Sequence, residues 1–530
     1  MWNYLRYIKK IIFRIFKSIY IMGFNKFSLR LFYELHIIFD RLMNDRILIF
    51  IYDLNSKVPK LEPEINKFII KKLIKPNTHK NIKVSLEFEF LNDLKILDFP
   101  NKWNNKDWAR LWQFNLHYFG WAKEWLSKSY LKGYWIKESK YLEYLIDDWI
   151  DNNSIGKGDG WHSYTLSLRI RNLFIIYKYA PWLLSEKRIK SLWIQFIWLN
   201  SHQEIFHKGN HYIENLITLC IAGIQFKGKK AKNIYENSLK KLRKELDLQI
   251  LKDGGHAERT ASYHLLLLEK LIELSFLIEI FERAIPYWLS KKVNLMKKWA
   301  ELIKLKNNQY PTFNDCSLDI CNSIDLVLKK HKFIYESNYS IEKKFECLYF
   351  DKTYPLKDYQ KNTLLNKNYI NLKDTGWTIL RPNKFWEVTF KWGLAGFQKS
   401  PGHTNADLLS FNLYFKGTPI LIESGTSIYE ESIEREFERS SESHNTLQVS
   451  KIKKVNKDES LVWNSSVEFW GAFGTGTIPK VLKHETRVDS NKLYISASHD
   501  GFKKVGCIHT RELIIDYQYI FLKSVFDSNF

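Results

Sequence analysis

The spacing of hydrophobic and polar positions changes partway along the chain. From about residue 100 to 345, apolar residues recur at intervals of three and four. Trp193, Phe196 and Ile197 form one such stretch, and Leu265, Leu268, Leu271, Ile272, Phe276 and Ile280 another. That spacing lays an apolar stripe along a helix of 3.6 residues per turn. Breaks such as Gly156-Lys157-Gly158 and Asp253-Gly254-Gly255 separate the stretches. Helix pairs stacked in series give a toroid or solenoid, although no strict sequence repeat enforces one here.

From about residue 370 the period becomes two. Leu409, Phe411, Leu413 and Phe415 alternate with Ser410, Asn412 and Tyr414. Lys416-Gly417-Thr418 then turns the chain into Pro419-Ile420-Leu421-Ile422, and segments 492–496 and 512–515 read as further strands. The pattern predicts an α+β multidomain chain. Its parts are an N-terminal segment at 1–60, a helical domain at 61–345, a linker at 346–369 and an antiparallel β domain at 370–530. Phe530 follows closely on a strand-like run, so the β domain is expected to be incomplete there.

Composition narrows the class. With 45% hydrophobic and 26% charged residues among 530, the chain is globular and long enough for several domains. The 22 Gly and 12 Pro exclude collagen-like and low-complexity chains. Cys220, Cys316, Cys321, Cys347 and Cys507 include no CxxC pair, which argues for free thiols over a disulfide framework or a thiolate zinc site. The formal charge of +23 suits nucleic acid, anionic lipid or an anionic polysaccharide, and equally fits a lysine-, asparagine- and isoleucine-rich composition. Zinc-finger and RNP-type motifs are missing, which sets nucleic acid aside.

Residues 1–50 interleave Arg6, Lys9, Lys10, Arg14 and Lys17 with Ile11, Ile12, Phe13, Ile15 and Phe16. No uncharged run reaches the roughly 18–20 residues that a membrane span needs. The expectation is an amphipathic helix, lying on an anionic membrane as a peripheral contact or docked on the domain that follows. No small-residue cleavage site follows an apolar core. A cytoplasmic or envelope-associated bacterial protein is therefore expected, with the periplasm as the alternative.

Four clusters carry candidate chemistry. In Gly209-Asn210-His211-Tyr212-Ile213-Glu214, His211 and Glu214 share one helix face, and Asn210 and His211 fall at the helix start. The plain alternative is an Asn N-cap followed by a surface His. In Asp253-Gly254-Gly255-His256-Ala257-Glu258-Arg259, a glycine turn feeds the long helix that opens with Tyr263 and His264. A Tyr hydroxyl serves as acid or base when neighbours tune it, and otherwise simply packs between helices. His403, in Ser400-Pro401-Gly402-His403-Thr404-Asn405-Ala406-Asp407, is an acid–base candidate on a loop, or an ordinary turn His. Arg439 to Thr446, with His444, is similar in character, and Glu423 precedes Ser424-Gly425-Thr426. Between residues 101 and 200 lie eleven of the 19 Trp, mostly core material. The stretch Trp161 to Asn172 mixes Trp161 and Tyr164 with Arg169 and Arg171, which suits stacking on an anionic sugar or a surface charge.

Taken in this order, the clusters resemble the heparinase II/III family of polysaccharide lyases and the related alginate lyases. The pieces that carry the resemblance are Phe114-Asn115-Leu116-His117-Tyr118-Phe119, Trp161 to Asn172, Asn210-His211 with Glu214, Asp253-Gly254-Gly255 with Tyr263-His264, His403 to Phe411, Gly425-Thr426 and His444-Asn445-Thr446. They span roughly residues 100 to 530. The resemblance implies an incomplete (α/α) toroid followed by an antiparallel β-sandwich. It also implies β-elimination on a uronic-acid-containing polysaccharide, heparin- or heparan-sulfate-like or a bacterial surface polymer. Asn210 and His211 would then neutralise the uronate carboxylate, Tyr263 would be the central acid–base residue and His403 its partner. Glu214 would support His211, and Trp161, Tyr164, Arg169, Glu258 and Arg259 would line the substrate.

The chemistry is coherent. Removing the C5 proton builds an enolate-like dianion, which hydrogen-bond donors must stabilise. A base must reach that proton, and an acid must protonate the departing oxygen. Tyr263 and His403 divide these tasks, or Tyr263 performs both. No cofactor is required. Some relatives hold a metal in the β domain through a second His, an acidic residue and a later His. The matching positions here are Asn405, Glu423 and His444. An amide is a poor zinc ligand, so a hydrogen-bonded cluster is expected, with a harder ion such as calcium as the alternative. Two other functions fit a retained cleft. One is a non-catalytic polysaccharide-binding or biosynthesis accessory protein. The other is a glycoside hydrolase, which would need two facing carboxylates, with Glu258 and Asp315 the nearest candidates.

Overall fold

The computed structural model describes residues 24–54, 57–62, 83–282, 284–355, 368–455, 458–476, 478–488, 492–516 and 519–527. The basic residues read in the N-terminal segment, from Arg6 to Lys17, and half of the 346–369 linker lie outside the described residues. The chain forms two compact units. One takes residues 1–245, 273–286 and 338–354, and the other takes 246–272, 287–337 and 355–530. This differs from the single helix-to-strand boundary read at 346–369. The reason is packing inside the second unit: Trp299 and Phe313, from the helical part of the sequence, sit on Trp377 of the first sheet at 5.4 and 5.0 Å between ring centroids.

The first unit is helical. Helices Ser163–Tyr179 and Asn210–Gln225 lie at its centre, and Ile213, Leu216, Ile217 and Cys220 are fully buried. Helices apolar on most sides have nowhere to go but the interior. Arg110–Tyr118, Gly120–Lys132, Leu142–Asn152 and Glu186–Ser201 surround them. Ser185 caps the last of these by accepting from the Arg188 N–H at 3.3 Å. The Trp-rich stretch is core, as its density required: Trp103, Trp112, Trp149, Trp193 and Trp198 are at most 2% exposed.

One element contradicts the helical reading of 61–345. Strands β1 (Val84–Phe90) and β2 (Asp93–Phe99) form an antiparallel hairpin. Val84, Leu86 and Phe88 point inward, and Phe88 meets the Trp121 ring edge-on at 5.2 Å. Before the hairpin, helix Phe24–Leu42 and helix Asp45–Ile51 expose Phe24, Phe32, Leu42 and Phe50. Among the described residues no helix is long and apolar enough to cross a membrane.

The second unit carries the strands. β3 (Tyr369–Leu372), β4 (Trp377–Leu380), β5 (Trp386–Lys391), β6 (Phe411–Phe415) and β7 (Thr418–Leu421) form an antiparallel meander. β6 and β7 are the alternating segment and its turn partner read from the sequence. Lys416 at φ +52° and Gly417 at φ +81° make that turn with two left-handed residues, as a tight hairpin requires. Two small pairs follow, β8 (Val449–Val455) with β9 (Asp458–Asn464) and β10 (Phe469–Trp470) with β11 (Gly474–Thr475). A second meander contains β12 (Val481–Val488), β13 (Lys492–His499), β14 (Ile508–Asp516) and β15 (Ile520–Asp527). Leu380, Val388, Phe390 and Phe411 of the first sheet share a core with Ile495, Ala497, Leu513 and Ile515 of the second. That shared core makes a β-sandwich. The architecture is thus a helical N-terminal part followed by an antiparallel sandwich. All five cysteines are free, with Cys220, Cys316 and Cys347 buried.

Candidate active site

The site in the second unit is built from a turn, a helix start and a loop. In the turn, Asp253 accepts from the Gly255 N–H at 3.1 Å, the Thr375 N–H at 2.6 Å and the Thr375 hydroxyl at 2.9 Å. Gly254, at φ +97°, lies so close to the Leu295 backbone that no Cβ fits. Arg259, at φ +54°, reverses the chain just before helix Ala261–Glu282. Its guanidinium spans backbone carbonyls of Ala257 (2.9 Å), Thr375 (3.1 Å), Gly396 (3.1 Å) and Asp374 (3.2 Å). Such a clamp replaces the solvent that these oxygens lose, and it fixes the entry of the helix.

Tyr263 stands in the first turn of that helix and His403 in the short turn Pro401–His403. Their rings lie face to face, 4.2 Å between centroids and 13° from parallel. His403 Nδ1–H donates to Glu258 Oε2 at 3.1 Å. Burial alone would lower the His403 pKa, but the Glu258 carboxylate outweighs it and raises it above the ordinary 6.5. The Tyr263 hydroxyl donates to the Tyr429 hydroxyl at 3.1 Å. Burial, with Tyr429 and Asp315 nearby, pushes the Tyr263 phenol well above its usual value. The resting pair is therefore a neutral phenol beside an imidazole whose Nδ1 is engaged.

Beneath Tyr429 lies a buried ion pair. Arg435 donates two parallel bonds to Asp315, at 2.8 and 2.5 Å, and Thr426 donates to the same carboxylate at 3.0 Å. The guanidinium sits 5.6 Å from the ring centroids of Tyr429 and Phe473. The loop bearing His403 is held by Lys391, fully buried, which bonds the Asp407 carboxylate, Asn314 Oδ1 (2.7 Å) and the Ala395 carbonyl (3.1 Å).

A second cluster belongs to the first unit. His211, in the first turn of Asn210–Gln225, donates from Nδ1 to Glu204 Oε1 at 3.0 Å. Its ring stacks on Tyr164 at 4.3 Å and on His207 at 4.5 Å. His162 Nε2 lies 3.8 Å from the same Glu204 oxygen. Burial opposes the Glu204 charge, yet the imidazoles of His211, His162 and His207 outweigh it and push the carboxyl down to about 2. Asn210 is the first residue of the helix, with Gly209 as N-cap, and its buried Oδ1 has no hydrogen-bond partner. The N-cap alternative for Asn210 is thereby set aside.

Several sequence assignments need correction. Trp161 is 5% exposed, donates to the Asn153 carbonyl and packs on Trp198, so it belongs to the core. Arg169 is fully buried over the Trp149 ring, bonded to Gln195 (2.8 Å) and the His117 carbonyl (3.2 Å), and does not face a substrate. Glu214 pairs with Arg171 at 2.6 Å, whereas the carboxylate on His211 is that of Glu204. Arg259 serves the backbone and Glu258 serves His403, so neither is a substrate-lining residue. Tyr164 stacks its ring on His211. The hydrolase reading loses its acids as well. Asp315 is locked in a two-point ion pair and Glu258 is bonded to His403, so neither is a free general acid.

Sequence reasoning missed Glu204, Tyr429 and the Arg435 partner of Asp315. For Glu204 a signal existed: His202, His207 and His211 flank it within ten residues. At the metal candidates, Glu423 Oε2 lies 2.5 Å from His444 Nδ1, and Glu423 Oε1 accepts from the Ser410 hydroxyl and, at 3.1 Å, from the Asn445 N–H. Burial would lower the His444 pKa, and Glu423 more than offsets this and raises it. These two residues supply each other's charge, while Glu423 Oε2 and both His444 ring nitrogens have no hydrogen-bond partner among the described residues. Asn405 is fully buried with neither amide atom bonded, so a hard cation held by its Oδ1 stays a proposal.

Residues 51–342 match the Heparinase II/III N-terminus family, and residues 365–529 match the Heparinase II/III-like, C-terminal family. The chain belongs to the heparinase II/III family. Solved structures show the same fold at low identity. A crystal structure of Heparinase III aligns with TM-score 0.57 and 18% identity, over 80% of this chain and 64% of that one. A mutant of the heparan sulfate lyase HepC from Pedobacter heparinus aligns with TM-score 0.50 and 17% identity, over 81% and 65%. A further Heparinase III gives TM-score 0.52 and 16% identity, over 80% and 66%. The chain therefore spans just under two thirds of the length of the first of these structures. No curated protein matches it.

Proposed function

We propose that this protein is a polysaccharide lyase that cleaves a uronate-containing acidic polymer by β-elimination, with His403 as base and Tyr263 as acid. The observation that carries the reading is the contact of phenol and imidazole at 4.2 Å, with Glu258 on the far nitrogen. Glu258 fixes the proton on Nδ1, which leaves Nε2 as the basic atom once His403 loses its second proton.

The reaction then balances. Nε2 takes the C5 proton, and the C5–H electron pair becomes the C4–C5 double bond. The C4–O bond breaks, and the departing oxygen takes the Tyr263 proton. Imidazolium and phenolate remain side by side, and net transfer of one proton between them, by way of solvent, resets the pair. A phenol pushed well above its usual pKa suits the acid role better than the base role. Asn210 and His211 are proposed separately, as a pair that binds an anionic group such as a carboxylate. Both lie in the first turn of a long helix, where free N–H groups and the helix dipole favour an anion. Glu204 keeps His211 oriented.

The test supplies the full chain with heparan sulfate, hyaluronan, alginate and bacterial surface polysaccharides. Ultraviolet absorbance of the unsaturated uronate is followed together with new reducing ends. The expected result is coupled growth of both signals on at least one uronate polymer. Reducing ends without unsaturation would assign hydrolysis, and tight binding without turnover across the panel would assign a binding protein.

A further inference from the structure

Outside both clusters, three ligand-type side chains converge in the first unit. His36 and Asp40 lie four residues apart on helix Phe24–Leu42 and so share one face. His202 follows helix Glu186–Ser201 as its C-cap. His202 Nε2 lies 2.7 Å from Asp40 Oδ2, and His36 Nε2 lies 3.6 Å from the same oxygen. One ligand atom from each residue falls within 4.8 Å of the others. Asp40 and His202 are fully buried, while His36 is partly open to solvent.

The protons in this cluster are under-supplied. His202 Nδ1 lies 2.8 Å from the Trp198 carbonyl, which only accepts, so Nδ1 carries the ring proton. Nε2 of a neutral ring then presents a lone pair to a carboxylate. The Tyr52 hydroxyl gives its single proton to Asp40, at 2.8 and 3.0 Å, and accepts from His36 Nε2–H at 2.5 Å, so neither group supplies a proton to the His202–Asp40 contact. A second proton on His202 would repair this, and so would a cation. Histidine Nε2 as ligand, with Nδ1–H given to a backbone carbonyl, is the arrangement that metal-bound imidazoles adopt.

We propose that His36, Asp40 and His202 bind one divalent transition-metal ion, zinc by their ligand type, and that this ion fastens helix Phe24–Leu42 to helix Glu186–Ser201. Two imidazoles and a carboxylate are a zinc donor set, with the fourth position left to solvent or Tyr52. Tetrahedral ligands about 2.0–2.1 Å from zinc stand about 3.3 Å apart, so the 2.7 Å contact opens by about half an ångström, and the partly exposed His36 ring, stacked on His202 at 4.5 Å and 10° from parallel, turns so that its Nε2 leaves Tyr52 for the ion. His36 and Asp40 precede residue 51, where the family match begins. The ion would tie a segment outside that match to a helix inside it.

The test uses the full chain, stripped with chelator, equilibrated with Zn2+ alone and desalted. Bound metal is counted by mass spectrometry in wild type, Asp40→Asn and His36→Gln, and all three are repeated in a His444→Gln background. That background separates this site from Glu423 and His444. The expected result is one equivalent of zinc less in each variant, in both backgrounds. Zinc should also raise the melting temperature of wild type by several degrees and leave His36→Gln unmoved. His36 is partly exposed, so its variant keeps the test available if Asp40→Asn does not fold. Equal zinc in wild type and His36→Gln, or no zinc in wild type, would overturn the proposal and leave a protonated His202–Asp40 pair.

Discussion

Replacing Tyr263 by Phe removes one oxygen and leaves the ring on His403. The structural loss is the 3.1 Å bond to the Tyr429 hydroxyl, a neutral hydrogen bond whose net worth is about 1 kcal/mol. Tyr263 is only 8% exposed, so the Phe ring is retained by packing. The chemical loss is larger. A positioned general acid contributes about 10²–10⁴-fold, or about 3–5 kcal/mol of barrier. The two effects therefore separate: Tyr263→Phe should melt close to wild type while kcat and kcat/KM fall together by at least about a hundredfold. The assay is the initial rate of unsaturated uronate formation across polymer concentrations, with circular dichroism on the same samples. A variant within about threefold of wild-type kcat/KM would refute the acid role. A loss that appeared only in KM would move Tyr263 from chemistry to binding.

Glu258→Gln should move the acid limb of the kcat/KM profile to lower pH. Glu258 is what raises the His403 pKa against burial, so without its charge the imidazole frees its base at lower pH. The same group adds stability below pH 6.5 that is lost as pH rises through its folded pKa, and the variant should lack that increment. An unmoved limb would mean that His403 is not the base. Glu204→Gln should destabilise the fold most where the facing imidazoles are charged, because those charges hold its carboxyl down from 4.5 to about 2. Its contribution is present above pH 4.5 and lost as pH falls through 2, so urea titrations of variant and wild type should converge across that window. Curves that stay parallel would refute the linkage.

Local patterns were legible, and long-range partners were not. The period of two around Leu413 and the helical spacing after Leu265 are local signals, and both elements formed as read, though each is buried on more than one face. The hairpin at Val84–Phe99 carries the same alternation in Val84, Leu86 and Phe88, but it is short and lies just before the stretch of helical spacing that starts near residue 100. Tyr263, His403, Asn210 and His211 could be singled out only as an ordered set of motifs. Their partners come from distant parts of the chain: Tyr429 for Tyr263, Glu258 for His403, Arg435 for Asp315. No periodicity encodes such pairings. Arg169 misled because an arginine near Trp and Tyr reads as a sugar contact, whereas the ring it covers, Trp149, lies in the core.

The grip of Arg259 on four main-chain oxygens has a bearing on redesign. Its charge is consumed by atoms common to every amino acid, so nothing is left over to distinguish one sugar from another. Efforts to retarget the protein to a different polymer can vary the walls around Tyr263 freely while keeping the turn from Asp253 to Arg259 as a fixed mount.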